Sequence, residues 1–373
     1  MSISPHGPTV TNRSDLSTLY KIFRKTARPV RSHILSVGGN YPTGSPRIEK
    51  HPKRVGKVEI IEQQIITSPH TTSTSPSPSS TQNSDNDSLA RKEVLWTYSF
   101  HPPADPPRGR VKPSEAGKRK HIVYFFAGGG FVQPAESEQW KLCAYLASAL
   151  AQSDVQIVLV SYPLAPNSPA KDSLPILRRW MRQALADAET ENSMVSFLGD
   201  SAGGNIALSL ALWWADDLVR GRVVNGSGGQ GIGKSVLRSV LMVSPPLDMR
   251  VTNPEIGHTD ELDPILGKGN AETAAKAWSK GSDPSDPYLS PVLADLTNLK
   301  GSGIEVHCAV GTYDVLAPDV MVFLESCKEA GLSGNWLIWK GLMHDFPLAA
   351  CYGLKEGKEG RAWIEKVLHS VSW

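Results

Sequence analysis

From residue 121 onward, apolar runs of strand length alternate with helical patterns, and few folds can satisfy that alternation. "HIVYFFAGGG" (121–130) is a strand running into a glycine turn, and "SEQWKLCAYLASALAQ" is a helix. "VQIVLVSYP", "MVSFLGD", "SVLMVSPPLD", "GIEVHCAVGTYD" and "NWLIWKGLMH" follow as strands, set between helical segments such as "SLPILRRWMRQALADAE" and "GGNIALSLALWWADDLV". A strand apolar along its whole length must be covered on both faces. The expected architecture is therefore α/β: a mostly parallel, twisted central sheet with helices on both faces. Two earlier strands, "KVEIIEQQIIT" (57–67) and "EVLWTYSFHP" (93–102), bring the sheet to about eight strands.

Other segments interrupt this rhythm. "SDLSTLYKIFRK" (14–25) reads as a capped amphipathic helix with Leu16, Leu19, Tyr20 and Phe23 on one face. Residues 68–90, rich in Ser, Thr, Pro and Asn, cannot bury enough apolar surface to offset ordering, and are expected to be a disordered connection within a hairpin. A glycine-rich surface loop is expected over 221–234. Residues 250–290, dense in Pro, Asp and Gly, sit where an insertion would cover the strand ends. The expected organisation is an N-terminal segment (1–55) that contributes to a helical cap, and a catalytic domain (56–373) that carries the 250–290 cap insertion.

Bulk properties remove several classes of function. The net charge of +2 over 373 residues leaves no basic stripe for nucleic acid. No apolar run reaches the roughly 18 residues that span a bilayer, and the proline-broken N-terminus does not resemble a secretory signal. Cys143, Cys308, Cys327 and Cys351 show no metal-ligand spacing, and three of them sit in apolar periodic segments. A soluble protein of a reducing, cytoplasmic compartment is expected, with no metal and no cofactor.

In open α/β sheets, reactive groups gather at the carboxyl ends of the strands. Three such residues follow predicted strands in chain order: Ser201 after "MVSFLGD", Asp314 after "EVHCAVGTY", and His344 after "WLIWKGLM". Gly199-Asp200-Ser201-Ala202-Gly203 fits the G-x-S-x-G elbow, a strained strand-to-helix turn that lifts a serine hydroxyl to a helix N-terminus. A serine needs a base, and His344 is the histidine in a loop after the last strand; His307 lies inside an apolar strand and reads as core. Asp314 is the orienting acid, with Asp319 and Asp248 as substitutes. Beside them, "AGGGF" (127–131) supplies a glycine loop after the first parallel strand. Gly129 and Gly130, with Ala202 and also Gly128, are candidate oxyanion donors. The same glycines lack the G-K-[ST] ending and the G-x-G-x-x-G spacing of phosphate loops. Phe131, Trp140 and Asp200 are candidate substrate contacts, with Trp278 feeding the same apolar pocket.

From roughly residue 90 to its end, the chain resembles the hormone-sensitive-lipase-like branch of the α/β-hydrolases. The resemblance rests on "FFAGGGFV", "SYPLAPNSPA", "GDSAGGN", "VSPPLDM", "DPYLSP", "GTYDVL" and "GLMHDF", in that order. It implies a carboxylic-ester hydrolase with a Ser201–Asp314–His344 triad, a cap, and a homodimer formed through the last strand. Two motifs depart from the family. Ala127 stands where His-Gly-Gly-Gly has its histidine, which puts the rigidity of the oxyanion loop in question. Ser161-Tyr162-Pro163-Leu164-Ala165-Pro166-Asn167 replaces D-Y-R-L-A-P-E. The Ser/Pro stretch looks like the insertions common in fungal proteins. Such divergence suits an enzyme dedicated to a bulky apolar natural product. The same site is compatible with acyl transfer, lactonisation or cyclisation, and the fold with a non-catalytic ligand-binding protein.

Overall fold

The computed structural model describes residues 7–27, 41–67, 93–103, 120–221 and 235–371. The expected disordered connection (68–90) and nearly all of the glycine-rich loop (221–234) lie outside the described residues. Ten strands form one sheet: β1 (Thr9–Arg13), β2 (Arg54–Val55), β3 (Val58–Thr67), β4 (Glu93–His101), β5 (His121–Phe126), β6 (Val155–Ser161), β7 (Met194–Asp200), β8 (Leu237–Val243), β9 (Glu305–Gly311) and β10 (Asn335–Trp339), in the order β1-β10-β9-β8-β7-β5-β6-β4-β3-β2. Pairing is parallel from β1 to β6 across the sheet, and antiparallel among β6, β4, β3 and β2.

The sheet is two strands larger than the expected eight. Both additions come from polar N-terminal sequence. β1 is an edge strand, "TVTNR", whose side chains are exposed or half-buried, so no alternation marks it. It pairs with β10, Thr9 opposite Asn335 through Arg13 opposite Trp339. The outer edge of the last long strand is thereby filled by the chain itself, and cannot also serve as a dimer edge.

Side chains on the central strands point alternately into two layers. From β5, Ile122 and Phe126 enter one hydrophobic layer, while Val123 and Phe125 enter the other. The first layer is covered by α3 (Ala170–Thr190), α4 (Ala202–Val219) and α8 (Ala317–Glu329) through residues such as Trp180, Leu208 and Phe323. The second is covered by α2 (Ser137–Ala149) and α9 (Lys355–Ser370) through Leu146 and Ile364. Residues 250–290 carry α5 (Ile256–Asp260) and α6 (Lys268–Trp278), and α7 (Thr297–Ser302) precedes β9.

The predicted N-terminal helix is α1, shifted to Thr18–Ala27. Ser17 Oγ caps it, accepting from Tyr20 N at 3.1 Å. Only part of the expected apolar face packs. Tyr20 is buried and Phe23 half-buried, but Leu19 is 55% exposed, because the protein surface contacts α1 along one narrow line. Tyr20 Oη accepts from Met343 N at 2.8 Å, which ties α1 to the residue before His344.

Candidate active site

Ser201 joins β7 to α4 at φ 46° and ψ −124°, a conformation that L-residues rarely adopt. Its neighbours explain how the chain reaches it. A Cβ on Gly199 would lie 2.3 Å from the Gly203 carbonyl, and one on Gly203 would lie 1.9 Å from Phe126 O. Both approaches are backbone against backbone, so only glycine permits the turn. Ser201 N donates to Val243 O at the end of β8 (2.8 Å), fixing the turn to the neighbouring strand.

Asp314 follows β9 and His344 follows β10, and the fold brings both to Ser201. His344 Nε2 lies 3.0 Å from Ser201 Oγ, and His344 Nδ1 lies 3.0 and 3.1 Å from the two carboxylate oxygens of Asp314. All three side chains are buried. Neither alternative acid, Asp248 nor Asp319, pairs with the histidine. His307 is core, its Nδ1 accepting from Asn335 N at 2.8 Å.

Two further carboxylates approach this trio. Asp345, at φ 49°, places Oδ2 3.2 Å from His344 Nε2, on the same nitrogen that faces Ser201. Asp263, in the connection between α5 and α6, accepts from Ile265 N (2.8 Å), Leu266 N (3.2 Å) and Val315 N (3.0 Å). It ties residues 263–266 to the residue after Asp314. Burial, with the Asp314 charge added, pushes the Asp263 carboxyl up to about 7. For His344, burial works against the charged form, but Asp314 and Asp345 outweigh it and hold the imidazole well above its usual 6.5.

The glycine loop is braced from below. Gly128 N donates to Asp200 Oδ1 at 3.0 Å, and Gln139 Nε2 donates to Asp200 Oδ2 at 3.0 Å. Gly128 is therefore not an oxyanion donor, since its N–H is already used. Asp200 is not a substrate contact either: it is fully buried beneath the loop, lines neither cavity at Ser201, and is pushed up to about 7 by burial and then by the Asp345 charge. The Gly129, Gly130 and Ala202 amides donate to no acceptor among the described residues. Ala127, where the resemblance leads one to expect a histidine, accepts from Tyr162 Oη at 2.8 Å through its carbonyl, and Ala165 N donates to Phe131 O at 2.9 Å. The bracing comes from the second parallel crossover and from Asp200.

Two cavities meet at Ser201, Gly130 and Leu266. The narrower lies under α5 and α6, with Phe131, Met249 and Ala274 on its walls. The wider is lined by His344, Asp345, Gln133 and Tyr352. Phe131 thus faces a cavity, stacked on Trp278 at 4.5 Å and 8°. Trp140 does not. It packs edge-on against Tyr98 at 5.2 Å, with its indole N–H on Ala135 O, because the buried face of α2 is turned to the sheet. Asp345, Asp263 and Gln139 were not singled out by sequence; only Asp345, adjacent to His344 in "GLMHDF", carried a visible signal.

No helix among the described residues is long and apolar enough to cross a membrane, and no cluster of three His, Cys, Asp or Glu residues there is arranged to hold a metal ion. Residues 122–348, more than half the chain, match the family model Abhydrolase_3, described as an alpha/beta hydrolase fold. An esterase of Acinetobacter venetianus is 24% identical over 251 residues, covering 67% of this chain and 75% of that one. An Arabidopsis thaliana protein named "Probable carboxylesterase 13" is 28% identical over 247 residues, covering 62% and 71%. A solved esterase structure from Pyrobaculum calidifontis superposes with a TM-score of 0.61 at 19% identity, covering 96% of this chain and 94% of that one. With its ten-stranded sheet, its elbow at Ser201 and the match over residues 122–348, the chain belongs to the Abhydrolase_3 family of the α/β-hydrolase fold.

Proposed function

We propose that the protein is a serine carboxylesterase that cleaves a small-molecule ester through an acyl-enzyme. The observation that carries this reading is the continuous contact from Asp314 through His344 to Ser201 Oγ at a strained elbow. His344 Nε2 takes the Ser201 proton as the oxygen attacks the ester carbonyl, and Asp314 orients and balances the imidazolium. The Gly129, Gly130 and Ala202 amides receive the oxyanion, with the N-terminus of α4 behind them. His344 then passes its proton to the leaving alcohol, and on the second half-reaction activates water. No cofactor enters the scheme.

The direction of proton transfer assigns the two cavities. The leaving oxygen must meet His344 Nε2, so the alcohol departs on the side that His344 lines, the wider cavity. The acyl chain then occupies the narrower one, under α5 and α6, where residues 250–290 act as the cap. A bulky moiety fits only the alcohol side. The free cysteines, three of them buried, suit a reducing compartment such as the cytoplasm.

Hydrolysis is separated from acyl transfer by running the reaction in ¹⁸O-labelled water. One labelled oxygen in the acid product is expected; acid released without label, or an acylated alcohol or amine in its place, would mean that water is not the acceptor. A folded protein that turns over no ester would favour a ligand-binding role.

Two quantitative expectations follow from the geometry. His344 must be neutral to act as base, and its neighbours stabilise the protonated form, so the acid limb of kcat/KM should lie above the usual imidazole value. Asp345→Asn removes one of those charges, the imidazole loses its proton more readily, and the limb should move to lower pH. An unmoved limb would mean that Asp345 does not act on His344. Asp200→Ala leaves Gly128 N and Gln139 Nε2 without their acceptor under the oxyanion loop, and should lower kcat by up to about 10²-fold through misplaced donors, with a smaller change in KM.

A further inference from the structure

The narrower cavity contains a group that ester cleavage does not require. Asp319, in the first turn of α8, lines it together with Asp248 and is only 5% exposed. Its Oδ1 accepts from Asn253 Nδ2 at 2.8 Å, and its other oxygen accepts no hydrogen bond among the described residues. Two structural roles for this carboxylate fail. It does not cap α8, whose N-cap is Leu316 with no side-chain cap bond. Nor is it the counter-ion of Arg250, which Asp248 holds through two contacts, Nε to Oδ1 at 2.8 Å and the terminal nitrogen to Oδ2 at 2.7 Å.

The surroundings would make that oxygen expensive to cover without a donor. Phe131, Met249, Ile256, Leu266, Ala274 and Leu316 supply apolar walls. Burial raises Asp319 to about 6 even though Asn253 favours its charged form. The Asp248–Arg250 pair is neutral, so Asp319 leaves one net negative charge on the cavity wall. An unsubstituted acyl chain would cover that carboxylate without satisfying it, at the desolvation cost of a buried acceptor. A chain bearing a donor would satisfy it while its methylenes pack on the apolar walls.

Resting on the esterase reading and on the acyl arm lying in this cavity, we propose that the enzyme selects acyl groups that carry a hydrogen-bond donor, a hydroxyl or a primary ammonium, along the chain, and that Asp319 accepts that hydrogen bond. Asp319 is then a specificity-determining residue, remote from the bonds that form and break.

The test compares p-nitrophenyl esters of ω-hydroxy- and ω-aminoalkanoates, from three to eight carbons, with plain alkanoates of the same length, each corrected for spontaneous cyclisation. At one chain length the donor should raise kcat/KM of the wild-type enzyme by about tenfold or more. Asp319→Ala should bring that ratio close to one. Asp319→Asn, which keeps an acceptor but not the charge, should lose the ammonium preference and retain part of the hydroxyl preference. Hydrolysis of plain esters with no donor preference at any length would overturn the proposal and leave the esterase reading intact, and this comparison needs no variant to fold. A preference that survives Asp319→Ala unchanged would also overturn it. Failure of the wild-type protein to hydrolyse any ester, plain ones included, would overturn both.

Discussion

Ser201→Ala is expected to lower kcat on a p-nitrophenyl ester by about 10⁵-fold or more, because the hydroxyl in contact with the His344 imidazole is removed. The size follows from how such groups act together. Without Ser201 Oγ, neither the base nor its orienting acid has a proton to move, so their contributions vanish along with the nucleophile's. What survives is the rate supplied by the Gly129, Gly130 and Ala202 donors and by substrate binding. The fold should be indifferent to the change. Alanine bears the same strain at φ 46° as serine, and Ser201 N keeps its bond to Val243 O. KM and thermal unfolding are therefore expected to stay close to wild type while kcat collapses. A loss of only about tenfold would place the chemistry elsewhere.

Gly203→Ala should be among the most damaging single methyls in the molecule. Its Cβ would lie 1.9 Å from Phe126 O, 2.4 Å from Phe126 C and 2.9 Å from Ala127 C. None of these atoms can yield cheaply. They belong to the end of β5, paired on both sides with β6 and β7, and to the start of the oxyanion loop. Relief requires moving α4 off the sheet, which carries Ser201 and Ala202 away from His344. Overpacking against side chains commonly costs about 1–3 kcal/mol, and backbone that cannot move should exceed that range. Loss of soluble protein, or a denaturation midpoint sharply lowered together with activity, is expected. Gly257→Ala is the matched control: nothing lies within 4 Å of its Cβ, and Gly257 sits within α5, so stability should hold or rise by about 0.5–1 kcal/mol. Equal behaviour of the two variants would show that close approach at Gly203 is not what shapes the elbow.

The parts of this molecule legible from sequence are those where backbone constraint and side-chain chemistry coincide. Strands β5 to β10 were readable because each is apolar on both faces, and their carboxyl ends then located Ser201, Asp314 and His344 without reference to distance. Strand β1 was not readable, since an edge strand with its side chains in water needs no alternation. Leu19 was misplaced for a related reason: a helical stripe of apolar residues shows which side can pack, not how wide the surface beneath it is. Trp140 and Phe131 looked alike as aromatics near the site, yet one fills the core between α2 and the sheet while the other faces a cavity. Nothing in the residue types separates those outcomes. Asp200 illustrates the sharpest limit. Its position beside the nucleophile was plain, but the direction of its side chain, down to Gly128 N and Gln139 rather than out to substrate, depends on the turn's three-dimensional path.

That path also resolves the question raised by Ala127. Ala127 offers no side chain to brace the loop, but the loop is held by Tyr162 on the Ala127 carbonyl, by Ala165 N on Phe131 O, and by Asp200 on Gly128 N. Two of the ties come from the connection after β6 and the third from the end of β7, so the loop's placement rests on the packing of neighbouring strand ends at the carboxyl edge of the sheet.

The most direct measurement of the central claim is covalent labelling with a fluorophosphonate, read by intact mass and by peptide mapping. An activated serine should displace fluoride and retain one phosphonyl group per chain, on the peptide that contains Ser201, with no label in Ser201→Ala. Folded wild-type protein that takes up no label, or takes it up on another residue, would contradict the assignment of Ser201 as the nucleophile.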